Sequence, residues 1–149
     1  MQSIQEFMTG DHRHCDDLFV AAERLSADGD WESARRGFEA FNNAIEHHFT
    51  MEEEVLFPEF EQATGSAMGP TQVMRLEHRQ MRDLFAAMGE AVERRDTEAF
   101  LGEAETLLIL MQQHNAKEEQ ILYPMSERML ASRMGEVLQR MRALNDDAG

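Results

Sequence analysis

Positions 12, 48 and 52 hold His, His and Glu, and 66 residues further on, at 78, 114 and 118, the same residue types return in the same order. The same displacement carries Asp17-Leu18-Phe19 onto Asp83-Leu84-Phe85 and Leu56-Phe57-Pro58 onto the kindred Leu122-Tyr123-Pro124. Such self-similarity means that one supersecondary unit is built twice. Any fold that suits one half must suit the other. No other histidine survives the shift: His14 falls opposite Gln80 and His47 opposite Gln113. Both are expected at the surface or behind the repeated residues.

The unit itself is helical. Breaks at Ala27-Asp28-Gly29-Asp30, at residues 64–70 and at Arg94-Arg95-Asp96-Thr97 divide the chain into four segments. Between them helix formers dominate, β-branched residues are sparse and no strand is evident. Each segment carries a core stripe with steps of three and four. The first runs Met8, His12, Cys15, Phe19 and Ala22; the second Ala34, Phe38, Phe41, Ile45, His48, Glu52 and Val55. The third runs Met74, His78, Met81, Phe85, Met88 and Val92; the fourth Phe100, Ala104, Leu107, Met111, His114, Glu118 and Ile121. Short connections favour antiparallel neighbours, so the expected fold is all-α: an up-down-up-down antiparallel four-helix bundle with a short further helix over about 132–144. The length suits a single domain over 1–149, formed by two helical hairpins at about 8–62 and 70–131. Pro58 and Pro124, six residues after Glu52 and Glu118, are expected to kink or end their helices.

His48 and Glu52 are four apart and share a helix face, as do His114 and Glu118. A carboxylate on a core stripe is costly unless compensated, and here there are two. Lys117 is the only basic neighbour in the fourth helix and lies about 100° around from Glu118, so an ion pair explains little. A lone histidine on an apolar face is more often a hydrogen-bonded core residue than a ligand. Six polar residues tied by one repeat reverse that preference and point to cations held by His12, His48, Glu52, His78, His114 and Glu118. The natural arrangement is dinuclear, with two histidines per metal, both carboxylates shared, and room for O₂, nitric oxide or peroxide. Imidazole and carboxylate suit iron, zinc or manganese; iron is expected.

The formal charge of −15, from 29 acidic and 14 basic residues, repels phosphate backbones and anionic headgroups, so no nucleic-acid partner is expected. No apolar run approaches the ~20 residues of a membrane span. The acidic first twenty residues lack an export signal, and Cys15, the only cysteine, fits a reducing compartment. A cytoplasmic address is expected. Cys15 reads first as a small buried hydrophobe, with a labile ligand or redox partner of the metals as the alternative. The twelve methionines read as adaptable core filler.

Taken with Asp11-His12-Arg13, His48-Phe49-Thr50-Met51-Glu52-Glu53, Glu77-His78-Arg79 and His114-Asn115-Ala116-Lys117-Glu118-Glu119, the chain resembles hemerythrin-like proteins of the HHE cation-binding family over roughly residues 8–130. The resemblance implies a four-helix bundle with a non-haem di-iron centre, bridged by two carboxylates and an oxo or hydroxo oxygen, on the six residues already chosen. Two departures matter. Oxygen-carrying hemerythrins have H-x-x-x-H in the third helix, where here Arg82 stands four residues after His78. They also end the fourth-helix motif with an Asp one position beyond Glu118, where this chain has Glu119. The ligand set is more similar to relatives linked to iron sensing and to repair of damaged iron centres. Fewer histidines should favour oxidation over reversible O₂ binding.

Two functions follow as expectations. The favoured one is a metal-binding protein that binds or senses O₂, nitric oxide or iron, whose signalling output would need a separate protein partner. The other is a redox enzyme, peroxidase-like or repairing damaged iron centres, at the same site. A plain interaction protein with incidental histidines is the third and weakest reading. Ferritin-like enzymes are disfavoured because their motif is Glu-x-x-His.

Overall fold

A computed structural model describes residues 2–148, and the side chains of residues 2–144. Every regular element among them is helical: α1 (Ile4–Ala27), α2 (Trp31–Met51), a π-helical turn (Glu52–Leu56), α3 (Phe57–Thr64), α4 (Pro70–Arg94), α5 (Thr97–Lys117), a second π turn (Glu118–Leu122), α6 (Tyr123–Met129), a 3₁₀ turn (Ala131–Arg133) and α7 (Met134–Ala148). Because α2 and α3 are continuous through the first π turn, and α5 and α6 through the second, the elements form four long rods and a C-terminal helix. No described helix is long and apolar enough to cross a membrane.

Local chemistry sets the rod ends. Ser3, Asp30 and Asp96 cap α1, α2 and α5, their side chains accepting from the backbone N–H groups of Glu6, Ser33 and Ala99. The rod ending in α3 stops at Gly65, whose φ of 77° is the left-handed exit that glycine adopts without a Cβ penalty. Arg95 makes the same exit from α4 at φ 55°. With a Cβ, this conformation costs about 1–2 kcal/mol.

The rods pack as a bundle: α1 lies along α2 and α4 along α5, while α1 also meets α5 and α2 meets α4. Two apolar clusters fill it. One gathers Phe19, Phe38, Phe41, Phe49, Phe85 and Phe100. The other joins Met8, Leu56, Phe60 and Leu122 to Val137, Leu138 and Met141 of α7. Arg133 and Arg140 bind the buried Glu59 carboxylate and help clamp α7 in place. On three of the rods the repeated His and Glu residues fall between the positions feeding the two clusters, as His12 does between Met8 and Cys15, and on the second rod His48 and Glu52 flank the changeover from Phe49 to Met51. The polar layer is therefore sandwiched between apolar ones.

Two sequence expectations need correction. Every apolar stripe position is buried except Ile121, which is 53% exposed, whereas Leu122 and Tyr123 are buried. The second π turn contributes: it takes up an extra residue after Glu118, so the inward face resumes at 122 and 123, whereas Val55, the counterpart of Ile121, stays buried where α7 packs on the first π turn. The prolines do not end the rods either. Pro58 and Pro124 sit in the first turns of α3 and α6, directly after the π turns, and the widened backbone there gives each ring room that a straight α-helix would deny it. The C-terminal helix lies close to its expected place, beginning two residues later, at Met134, and extending to Ala148.

Phe41 is fully buried and meets Phe19 and Phe85 edge-on, with ring centroids 5.4 and 5.7 Å away. Phe41→Ala is expected to cost about 3–5 kcal/mol in chemical denaturation. Val20→Ala, at a half-exposed site, should stay within about 0.5 kcal/mol.

Candidate metal centre

His12 is on α1, His48 near the end of α2, His78 on α4 and His114 on α5, and Glu52 and Glu118 open the two π turns. All six are at most 2% exposed. Their side chains converge in two groups, Glu52, His78, His114 and Glu118 on one side, and His12, His48 and Glu118 on the other. Within each group, one ligating atom per residue lies within 4.8 Å of the others. The imidazoles stand in pairs, His12 with His48 at 4.6 Å between ring centroids and His78 with His114 at 5.0 Å.

The inward atoms are incompletely satisfied. His78 Nε2 lies 3.1 Å from Glu52 Oε1, and His114 Nε2 lies 3.3 Å from Glu118 Oε1. Yet Glu52 Oε1, Glu118 Oε2, His78 Nε2 and His114 Nε2 have no hydrogen-bond partner among the described residues. Each buried orphan costs roughly 1–3 kcal/mol, and native cores hold few of them. Four orphaned lone-pair atoms facing one another are what a cation would satisfy, and imidazole nitrogen with carboxylate oxygen is a donor set suited to iron, manganese or zinc.

On their outer edges the imidazoles are fully engaged. His48 Nδ1 lies 2.8 Å from Asp11, His78 Nδ1 2.7 Å from Glu53, His114 Nδ1 2.9 Å from Glu77, and His12 Nδ1 2.7 Å from Glu119. A carboxylate that accepts the Nδ1–H fixes the ring and leaves the Nε2 lone pair facing inward. Sequence reasoning did not assign these four acids their role, although a signal was available. Asp11 maps onto Glu77, and Glu53 onto Glu119, by the same 66-residue displacement.

Arg82, standing where oxygen carriers have a second histidine, does not enter the centre. Its guanidinium donates to Glu46 at 3.0 Å and to Glu53 at 2.9 and 3.1 Å, and lies over the Phe49 ring. It thereby braces the acid that braces His78. Lys117 binds Glu77 at 2.5 Å rather than Glu118, as its position around the helix implied.

Electrostatics follow from this crowding of acids. Burial alone would lower the pKa of His12 and of His114, but Glu118, joined by Glu119 at His12 and by Glu77 at His114, outweighs it, raising His12 to about 9 and His114 to about 10. Burial would raise Glu53, but His78 and Arg82 outweigh it and lower its pKa to about 2. Glu52 moves upward through burial and the adjacent Glu118. A cation entering the centre competes with the protons that these groups hold.

Sequence reasoning also passed over Tyr123. It is fully buried, and its Oη lies 2.8 Å from Glu52 Oε2, 3.0 Å from Glu118 Oε1, 3.2 Å from His12 Nε2 and 3.4 Å from His48 Nε2. Its repeat counterpart, Phe57, instead lies with its ring near-parallel to His78 at 5.6 Å. Cys15 belongs to neither ligand group. Burial, reinforced by Asp11, Asp16 and Glu52, pushes its thiol pKa upward, which favours the buried-hydrophobe reading. His14 is exposed and His47 half-buried, both off the ligand layer.

Glu53→Gln weakens the acceptor of His78 Nδ1 and frees Arg82. It is expected to reduce metal affinity by about 10–100-fold, measured by competition with a chelator, while circular dichroism stays unchanged.

In a comparison with protein families, residues 3–126 match the hemerythrin HHE cation-binding domain. No significant match is found among curated proteins or among solved structures. The family match spans most of the chain and includes all six converging residues, so this protein, an all-α helical bundle, belongs to the hemerythrin HHE cation-binding family.

Proposed function

We propose that the protein holds a pair of iron ions and uses them to bind or sense O₂, nitric oxide or iron. His12 and His48 would hold one ion, His78 and His114 the other, with Glu52 and Glu118 shared between them. The observation that carries this reading is the set of orphaned carboxylate and imidazole atoms facing one another in a buried layer. When bound, the iron pair supplies a redox-active centre for a small diatomic ligand or peroxide.

The protein's own residues do the rest. Asp11, Glu53, Glu77 and Glu119 hold the imidazoles in register from outside. Phe49, whose ring stacks on His78 at 3.8 Å, and Phe57 on a neighbouring side keep water from that imidazole. A cleft of ≈ 420 Å³ between α1 and α5 is lined by Phe19, Val20, Met111 and Asn115 among others, and by Glu119, the acid that holds His12. A small ligand would approach by that cleft.

A second reading, a redox enzyme of peroxidase or iron-centre repair type, draws on Arg82. An arginine in place of a histidine leaves fewer nitrogen donors and a more oxygen-rich shell, which favours oxidation over reversible O₂ carriage.

Anaerobic iron loading, followed by addition and removal of O₂, tests both. One iron pair per chain with a reversible charge-transfer band is the expected result for binding or sensing. Irreversible oxidation, together with many turnovers of peroxide and a reductant, would transfer the assignment to the enzyme. Absence of iron uptake would sink both. His48→Ala is expected to lose metal in the same assay.

A further inference from the structure

One of the breaks in the repeat puts different chemistry on the two sides of the centre. Position 57 is Phe and position 123 is Tyr, each the first residue after a π turn and each buried against the polar layer. Phe57 offers its half only a ring face beside His78. Tyr123 offers the other half an oxygen.

That oxygen has too many neighbours for a plain phenol. A tyrosine hydroxyl has one proton to donate, yet two carboxylate oxygens and two imidazole Nε2 atoms lie within 3.4 Å of it. These four atoms belong to residues read above as ligands. The orphaned nitrogens are also distributed unequally. His78 Nε2 and His114 Nε2 lack partners, whereas His12 Nε2 and His48 Nε2 each have Tyr123 Oη within reach.

Resting on the iron-pair reading, we propose that Tyr123 Oη is a further donor to the metal position of His12 and His48, making the two positions chemically unlike. A phenolate oxygen is an established partner for iron among protein ligands. On ligation one metal–oxygen bond forms and the phenolic proton leaves to solvent; no oxidant or reductant is consumed. The His78–His114 position, with Phe57 and Phe49 against it, has no equivalent oxygen.

Tyr123 is the only tyrosine in the chain, so a tyrosinate signal from the wild-type protein has a single possible origin. The experiment is resonance Raman and visible absorption of the iron-loaded, oxidised protein, beside Tyr123→Phe with iron per chain measured for both. The expected result is enhanced tyrosinate vibrations under a phenolate-to-iron band in the wild type, both lost in Tyr123→Phe when the spectra are compared per bound iron. Iron uptake without tyrosinate vibrations would overturn the tyrosine assignment alone, leaving Tyr123 a hydrogen-bond donor to Glu52. Failure of the wild type to take up iron would overturn the iron-pair reading, and the tyrosine assignment with it.

Discussion

Two carboxylates with no solvent exposure stand side by side at the middle of this bundle, and among the described residues no lysine or arginine reaches either of them. Moving an ionised carboxylate out of water without compensation is among the most unfavourable events in folding. Four imidazoles turned toward the pair, four outer acids holding those imidazoles, and apolar clusters above and below are all arranged around that problem. The family's cation-binding character fits that arrangement. The residues around Glu52 and Glu118 make sense as a donor set and make little sense as a conventional core.

Much of this could be read from the chain because its periodicities coincide. The helical stripe marks inward positions, and polar residues on the stripe stand out. The 66-residue displacement separates His12, His48, His78 and His114 from His14 and His47, and all four retained histidines are buried together. Where the reading fell short, a periodicity had changed. An α-helical step count cannot anticipate a π turn, so it points Ile121 inward and gives Tyr123 no task. The outer acids escaped notice for a different reason. Asp11, Glu53 and Glu119 are only half-buried, and on a helical wheel they resemble ordinary surface charge. Their role is defined by partners on other helices, at separations that no local pattern encodes.

Arg82 illustrates how one substitution redistributes a site. At a position where a relative places a ligand, this chain has a longer, charged side chain that is costly to bury unpaired. It turns outward, stacks over Phe49 and grips Glu46 and Glu53. The position has passed from the inner set of residues to the outer one without leaving the neighbourhood of His78.

The four outer hydrogen bonds form a closed circuit. Asp11 of α1 holds His48 of α2; Glu53, just beyond α2, holds His78 of α4; Glu77 of α4 holds His114 of α5; and Glu119, just beyond α5, holds His12 of α1. Two of these bonds stay within a half of the chain and two are exchanged between halves, and the exchanged pair are the same contact seen from either side. That is the contact pattern of a twofold-symmetric dimer, in which residue i of one copy meets j of the other and j meets i. The protein is in this sense a dimer written as one chain. Its linker from Gly65 to Gly69 joins two partners that each complete the other's histidines, and because the join is covalent, the two copies were free to diverge at position 57 against 123 without losing each other.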